Sequence, residues 1–346
     1  MASAEETVSG RSGPMRQNDP VPMKLFRRTF TPREFRIVAY AALVVCAVIV
    51  FSGAAVRLTG SGLGCPDWPR CNGTSFTPEL STHTLIEFGN RMMTSVVAIP
   101  CLLAVWMAWR RRPFRRDLLL IAGLLPIGVA SQAVWGGFTV IFDLAPGWVI
   151  MHFLLSMLLL IACVALVWRA TFEPGARPAA RDKVSTWSVR ALAVLGFVSL
   201  TGGTIVTAAG PHAGGAGTGD VVKRITWHGP GDTLSWAIER HSTTGTILGL
   251  SAVVIWFLVR RRDKDPLLMR AMTAVCVLIA CQGAVGILQW ENALPPGLVW
   301  VHVVLATVTW IALLTAVSAA GRIGEATRLA PPPEPAPAAR ELAPSR

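Results

Sequence analysis

Three histidines in this sequence, His152, His241 and His302, fall inside long apolar runs. An ionisable side chain at membrane depth faces the interior of a helix bundle and marks a site. His241 lies a few turns into its run and His302 near the start of its own, counted from the same side, so the two imidazoles reach similar depth. Two facing imidazoles in an apolar bundle are the ligand set of six-coordinate haem iron. Histidines hydrogen-bonded to each other or to carbonyls are the plainer alternative. Zinc fits poorly, because no third or fourth ligand accompanies them.

A related constellation precedes this one. The position matching His241 is Asn90, a poor iron ligand, while His152 corresponds to His302. Glu87 stands one turn before Asn90 on the same helix face, where the other half has Ile238. A bis-histidine iron passes electrons, whereas an iron with one strong ligand can bind oxygen or a substrate. Chemistry is therefore expected in the first half and electron supply in the second. His83, two turns before Asn90, either replaces the missing ligand, sits at the interface or donates protons. Glu87 is expected to have a catalytic or proton-handling role, with a structural ion pair as the alternative, and Arg91 and Arg57 can meet it or a haem propionate. Cys65 and Cys71 read as a disulfide in an outer loop, either a structural staple or, if exposed, a redox pair. Cys46, Cys101, Cys163, Cys276 and Cys281 lie in apolar runs and are expected to be inert core residues.

The elements that must position these groups are membrane helices. Hydrophobic residues make up 52% of the chain and charged residues 15%, against about 25% in soluble domains. Apolar runs near the ~20 residues that cross a bilayer predict spans at 35–56, 82–109, 118–140, 147–168, 188–209, 232–259, 267–289 and 297–320. The fold class is thus an all-α membrane protein, eight transmembrane helices arranged as two parallel-repeat four-helix bundles. Trp68, Trp109, Trp148, Trp168, Trp227 and Trp290 fall near predicted helix ends, as interfacial rings do.

The net charge of +12 does not point to nucleic acid, because the Lys and Arg residues cluster between the spans. Lys24, Arg27, Arg28, Arg33 and Arg36 precede the first span, and Arg110 to Arg112, Arg115 and Arg116 follow the second. Arg169, Arg177, Arg181 and Lys183 follow the fourth, and Arg260 to Arg262 and Lys264 follow the sixth. These loops and both termini are therefore expected in the cytoplasm of a multi-pass plasma-membrane protein, with the other loops outside. No apolar run near Met1 reads as a cleavable signal.

Gln132-x-x-x-Gly136, Pro146-Gly147 and His152 recur 150 residues later as Gln282-x-x-x-Gly286, Pro296-Gly297 and His302. An even number of spans per copy makes the repeats parallel, related by an axis along the membrane normal. The expected organisation is a disordered cytoplasmic segment at 1–33 and a first bundle at 34–170. A cytoplasmic linker at 171–187, a second bundle at 188–321 and a Pro-rich disordered tail at 322–346 follow.

Thr59-Gly-Ser-Gly-Leu-Gly-Cys65-Pro-Asp-Trp-Pro-Arg-Cys71 and Glu87-Phe-Gly-Asn-Arg91, followed by His152, His241 and His302, resemble the haem A synthase family. The resemblance covers about 35–320, and Thr207-Ala-Ala-Gly-Pro-His212 is similar to the actinobacterial type. It implies an oxidoreductase that converts the C8 methyl of haem O to the formyl of haem A, through successive hydroxylations and loss of water. It implies a haem b cofactor on His241 and His302, and substrate haem handled by His152 and Glu87. The implied partners are haem O synthase, cytochrome aa3 oxidase assembly and a quinol or other membrane electron donor; a homo-oligomer is left open. Two departures stand out. Many members have His where this chain has Asn90, and some carry a second Cys pair in the loop that here runs from Gly210 to Gly231 without Cys. Two other classes compete: a di-haem b-type electron-transfer subunit, which wants two complete His pairs, and a haem transporter or chaperone, which leaves the pigment unchanged.

Overall fold

The computed structural model describes residues 28–78, 80–176, 182–229, 232–263 and 265–321. Residues 1–27 of the segment expected at 1–33, the tail at 322–346, and the basic residues Lys24, Arg27, Arg177, Arg181 and Lys264 lie outside the described residues; the first helix already starts at Pro32, inside the expected 1–33 segment. Eight helices follow in order: α1 (Pro32–Leu58), α2 (Thr82–Arg110), α3 (Arg116–Ile141), α4 (Pro146–Thr171), α5 (Lys183–Ala209), α6 (Asp232–Arg262), α7 (Pro266–Glu291) and α8 (Pro296–Ala320). Each carries an apolar window long enough to cross a membrane, and the chain is a multi-pass membrane protein.

Most of the helices outrun their expected spans by a few residues. Thr31 and Glu34 form a capping box before α1, and Asp182 and Asp265 cap the backbone N–H groups that open α5 and α7. Proline at the first position starts α1, α4, α7 and α8.

Helices α1–α4 pack as a closed ring in chain order, and α5–α8 repeat it; in neither ring do diagonal helices bring Cα atoms within 8 Å. Between the rings, α1 lies on α8, α4 on α8 and α4 on α5. Exchanging the halves reproduces that set, so the helices obey a pseudo-two-fold axis through the α4–α8 contact. The indole of Trp310 donates to the Met157 carbonyl on α4 at 2.9 Å, and that of Trp300 to the Phe51 carbonyl on α1 at 2.9 Å. Such interhelical bonds matter in lipid, where apolar burial gives little preference for one packing over another.

The connection at the disulfide end repeats in detail. Asp143 and Leu144 after α3, and Ala293 and Leu294 after α7, all adopt the left-handed region. Leu144 N–H donates to Thr139 O at 2.7 Å, and Leu294 N–H to Gln289 O at 2.6 Å. Side chains pay for positive φ, so two consecutive residues held there at equivalent places reflect one inherited turn.

The tight core is confined to one end. Phe35, Leu118, Leu125, Leu160, Leu192, Leu268 and Leu313 are fully buried, and the apolar cluster they belong to fills the half of each bundle nearest the basic loops. The candidate histidines all lie in the other half, where the rings are not sealed by large apolar side chains. A bundle that holds a porphyrin cannot also fill that space at core density.

Candidate haem sites

In the second ring His241 on α6 faces His302 on α8, with ring centroids 6.2 Å apart and planes at 76°. A direct hydrogen bond would bring the ring centres to about 5 Å. Two imidazoles on opposite sides of one metal ion put them about 6 Å apart. Nδ1 is buried without a hydrogen-bond partner in His241, His302 and His152. Orphaned polar atoms are rare in native interiors; the orphan recurs at the matching His152 and His302, and together with His241 these imidazoles suit the donor set of haem iron.

The repeat motif has a physical reason. Gln132 Nε2 donates to the His152 carbonyl at 3.3 Å and Gln282 Nε2 to the His302 carbonyl at 3.1 Å. Gly136 and Gly286 give each imidazole its space: an added Cβ would stand 3.3 Å from Cε1 of His152 and 3.4 Å from Cε1 of His302. His241 has an equivalent berth on α5, where an added Cβ on Gly203 would come within 3.1 Å of its Cε1.

The first ring keeps His152 and departs elsewhere. Asn90 points to α1, where the Ser52 hydroxyl donates to its Oδ1 at 2.7 Å. Glu87 is buried, and both of its oxygens are engaged. Oε1 accepts from Arg91 Nη2 at 2.5 Å and from Nε at 3.1 Å, while Oε2 accepts the Cys65 N–H at 2.7 Å. Arg91 also donates to the carbonyls of Cys65, Asp67 and Arg70 at 2.7, 2.8 and 3.0 Å. The pair therefore clamps the Cys65–Cys71 loop onto α2.

That loop is disulfide-closed, as expected. The sulfurs are not the exposed pair a redox role wants: Cys65 and Cys71 are buried, sealed beneath the loop they close. Trp68 reaches across to α3, where the missing side chain of Gly137 makes room for its indole. Cys46, Cys101 and Cys163 are buried as expected, but Cys276 is only partly buried and Cys281 is exposed. Cys281 lies on the outward face of α7, a helix whose other face meets its neighbours, so an apolar run alone did not tell core from rim.

His83 Nδ1 lies 2.8 Å from the Ser61 hydroxyl, beneath Gly217 of the α5–α6 connection, where a side chain would collide with the imidazole. Gly62 N–H donates to Gly214 O at 2.8 Å and Gly217 N–H to Gly60 O at 3.1 Å. The second half thus lends its loop as a cover for the first, and His83 lies half-buried beneath it. Arg57, at the end of α1, donates to the Thr207 carbonyl of α5 at 2.7 Å and leaves its buried Nε unpartnered. It sits where the halves meet, and the described structure gives it no acid partner. The sequence reading missed Ser52 and the Gly214–Gly217 cover. Only aligning Ser52 with Gly202 could have signalled the first.

Comparison with known proteins agrees with the geometry. The profile of the COX15-CtaA family, described as cytochrome oxidase assembly protein, matches residues 36–314. Heme A synthase of Alkalihalophilus pseudofirmus is 26% identical over 297 residues, 81% of this chain and 95% of the relative. Heme A synthase of Lysinibacillus sphaericus is 36% identical over 143 residues, 41% of this chain and 46% of the relative. That of Bacillus mycoides is 27% identical over 163 residues, 46% of this chain and 52% of the relative. The chain therefore spans about half the length of two of these relatives in the matched stretches, and nearly all of the third. On the family match across most of its length, this chain belongs to the COX15-CtaA cytochrome oxidase assembly family.

Proposed function

We propose that this family member oxidises the C8 methyl group of haem O to the formyl group of haem A, and that its two halves divide the task. One observation carries the division. On a duplicated frame, the second ring presents two facing imidazoles 6.2 Å apart, while the first keeps His152 and has, at the place matching His241, an asparagine tied to Ser52. A di-haem electron carrier would want both pairs complete, and a carrier protein would gain nothing from the asymmetry.

In this reading His241 and His302 hold haem b, which supplies one-electron transfer when bound. His152 holds the iron of substrate haem O in the first ring. Glu87 and Arg91 act as positioning residues, keeping the disulfide loop closed over that ring. Arg57 is the cation best placed for a haem propionate, because Arg91 is already paired with Glu87. The basic loops and both termini lie in the cytoplasm of a plasma-membrane protein, which puts both haem sites towards the outer face. Haem O synthase supplies the substrate, a quinol or other membrane donor exchanges electrons, and the product goes to cytochrome aa3 oxidase assembly. The structure offers no interface that decides a homo-oligomer.

Haem extraction from cells lacking this chain tests the proposal. Accumulated haem O without haem A is expected; unchanged haem A overturns the activity, and loss of both haems points to transport.

A further inference from the structure

The two rings differ by a coupled exchange at one helix crossing. In the second ring α5 presents Gly202 and Gly203 to His241; an added Cβ on Gly202 would stand 3.4 Å from its Nδ1. The residues 150 positions earlier on α1 are Ser52 and Gly53. Where the ring is lost, a hydroxymethyl group stands in place of a hydrogen at 52, and its hydroxyl reaches the shorter side chain of Asn90 at 2.7 Å. At Gly53 an added Cβ would meet nothing within 4 Å, so the space that the imidazole uses in the second ring stays open in the first.

The bond from Ser52 also orients the amide. The Ser52 Oγ, which lies 3.1 Å from the Ile49 carbonyl as well, donates to Oδ1, the atom through which an asparagine could ligate a metal, and so draws that atom towards α1. The other arm of the amide is Nδ2, which carries only N–H donors. A donor beside an open space, opposite the single strong ligand, is how a distal pocket selects a small ligand on haem iron.

We propose that Ser52 and Asn90 are a distal pair. Together they keep the sixth position of the first-ring iron open and offer an N–H donor to a small oxygen-containing ligand there. This rests on the assignment of substrate haem to His152. Asn90 is the contacting residue, and Ser52 is a positioning residue that acts through it.

The test uses the purified full-length protein loaded with haem O, reduced and exposed to carbon monoxide. The bis-histidine spectrum of the second ring serves as the check on folding. One of the two haems is expected to bind carbon monoxide. Asn90→Leu and Ser52→Ala should both raise its C–O stretching frequency, because the donor is removed or misaimed. The double variant Ser52→Gly with Asn90→His rebuilds the second-ring arrangement and should lose carbon monoxide binding, leaving two six-coordinate haems. A stretch unmoved in both single variants overturns the donor role, and no carbon monoxide binding in the haem O-loaded wild type overturns the open position. Failure to load haem O, with the second-ring spectrum intact, overturns the substrate-site reading and the distal pair with it.

Discussion

The two rings share one half of their residues' work and differ in the other. On α3 and α4 against α7 and α8, the glutamine that holds the histidine carbonyl, the glycine under the ring and the left-handed turn all recur. On α1 and α2 against α5 and α6, the repeat diverges: Ser52, Glu87, Asn90 and Arg91 stand where the second half has Gly202, Ile238, His241 and Ser242. A duplicated bundle thus keeps one ligand-bearing wall fixed and varies the opposite wall. In the function proposed, that wall decides whether the iron is closed or open; it also carries the Glu87–Arg91 pair that clamps the disulfide loop.

Four perturbations would break or sharpen this contrast. The largest effect belongs to His302→Ala, which should remove about one haem per chain and the bis-histidine spectrum; retention of full haem content would dissolve the distinction between the rings. Glu87→Ala strands Arg91 in a largely buried place and releases the Cys65 N–H, at a cost on the order of 3 kcal/mol. Haem A output should collapse while the second-ring spectrum stays normal, and Glu87→Gln should recover part of the output by keeping the Cys65 bond. A second-ring spectrum lost with Glu87 would mean that the clamp serves the whole molecule.

Gly136→Ala crowds the His152 imidazole at 3.3 Å and should cost about 1 kcal/mol or roughly five-fold in haem affinity, whereas Gly286→Ala meets His302 at an ordinary 3.4 Å contact and should cost less. Haem titration checks this; a larger loss at Gly286 than at Gly136 breaks the comparison. The smallest effect is at the basic end. Thr31 caps α1 with a neutral hydroxyl, whereas Asp182 caps α5 and bonds Arg262 at 2.9 and 3.0 Å. Those Arg262 bonds, chiefly, hold the Asp182 carboxyl below the usual carboxylate range. A depressed native value stabilises the fold above the unfolded value and is lost as pH falls through the native one. Asp182→Asn should therefore lower the thermal midpoint by about 1 °C at neutral pH and leave it unchanged in strong acid; a difference that persists in acid would rule out the charge.

Much of this contrast was legible in the sequence because membrane physics writes it there. Apolar length gave eight helices, and the spacing of Gln132, Gly136, Pro146 and His152 against Gln282, Gly286, Pro296 and His302 gave the repeat. The missing ligand at Asn90 was visible as a substitution. Its consequence was not, because Ser52 lies on another helix and only packing shows that it takes up Oδ1. Burial of Cys65 and Cys71 was hidden for a similar reason: the groups that cover them, Glu87, Arg91 and their own loop, meet through tertiary contacts of modest local signal. Exposure of Cys281 escaped because a lipid-facing position and a core position are equally apolar.

The division of labour is tested most directly by supplying haem O to the purified wild-type protein and its His152→Ala and His302→Ala variants, then extracting and separating the haems. The wild type should yield haem A with haem b retained; His152→Ala should keep haem b and make no haem A, and His302→Ala should lose haem b. Normal haem A from His152→Ala, or haem b that survives His302→Ala, would contradict the assignment of chemistry to the first ring and electron supply to the second.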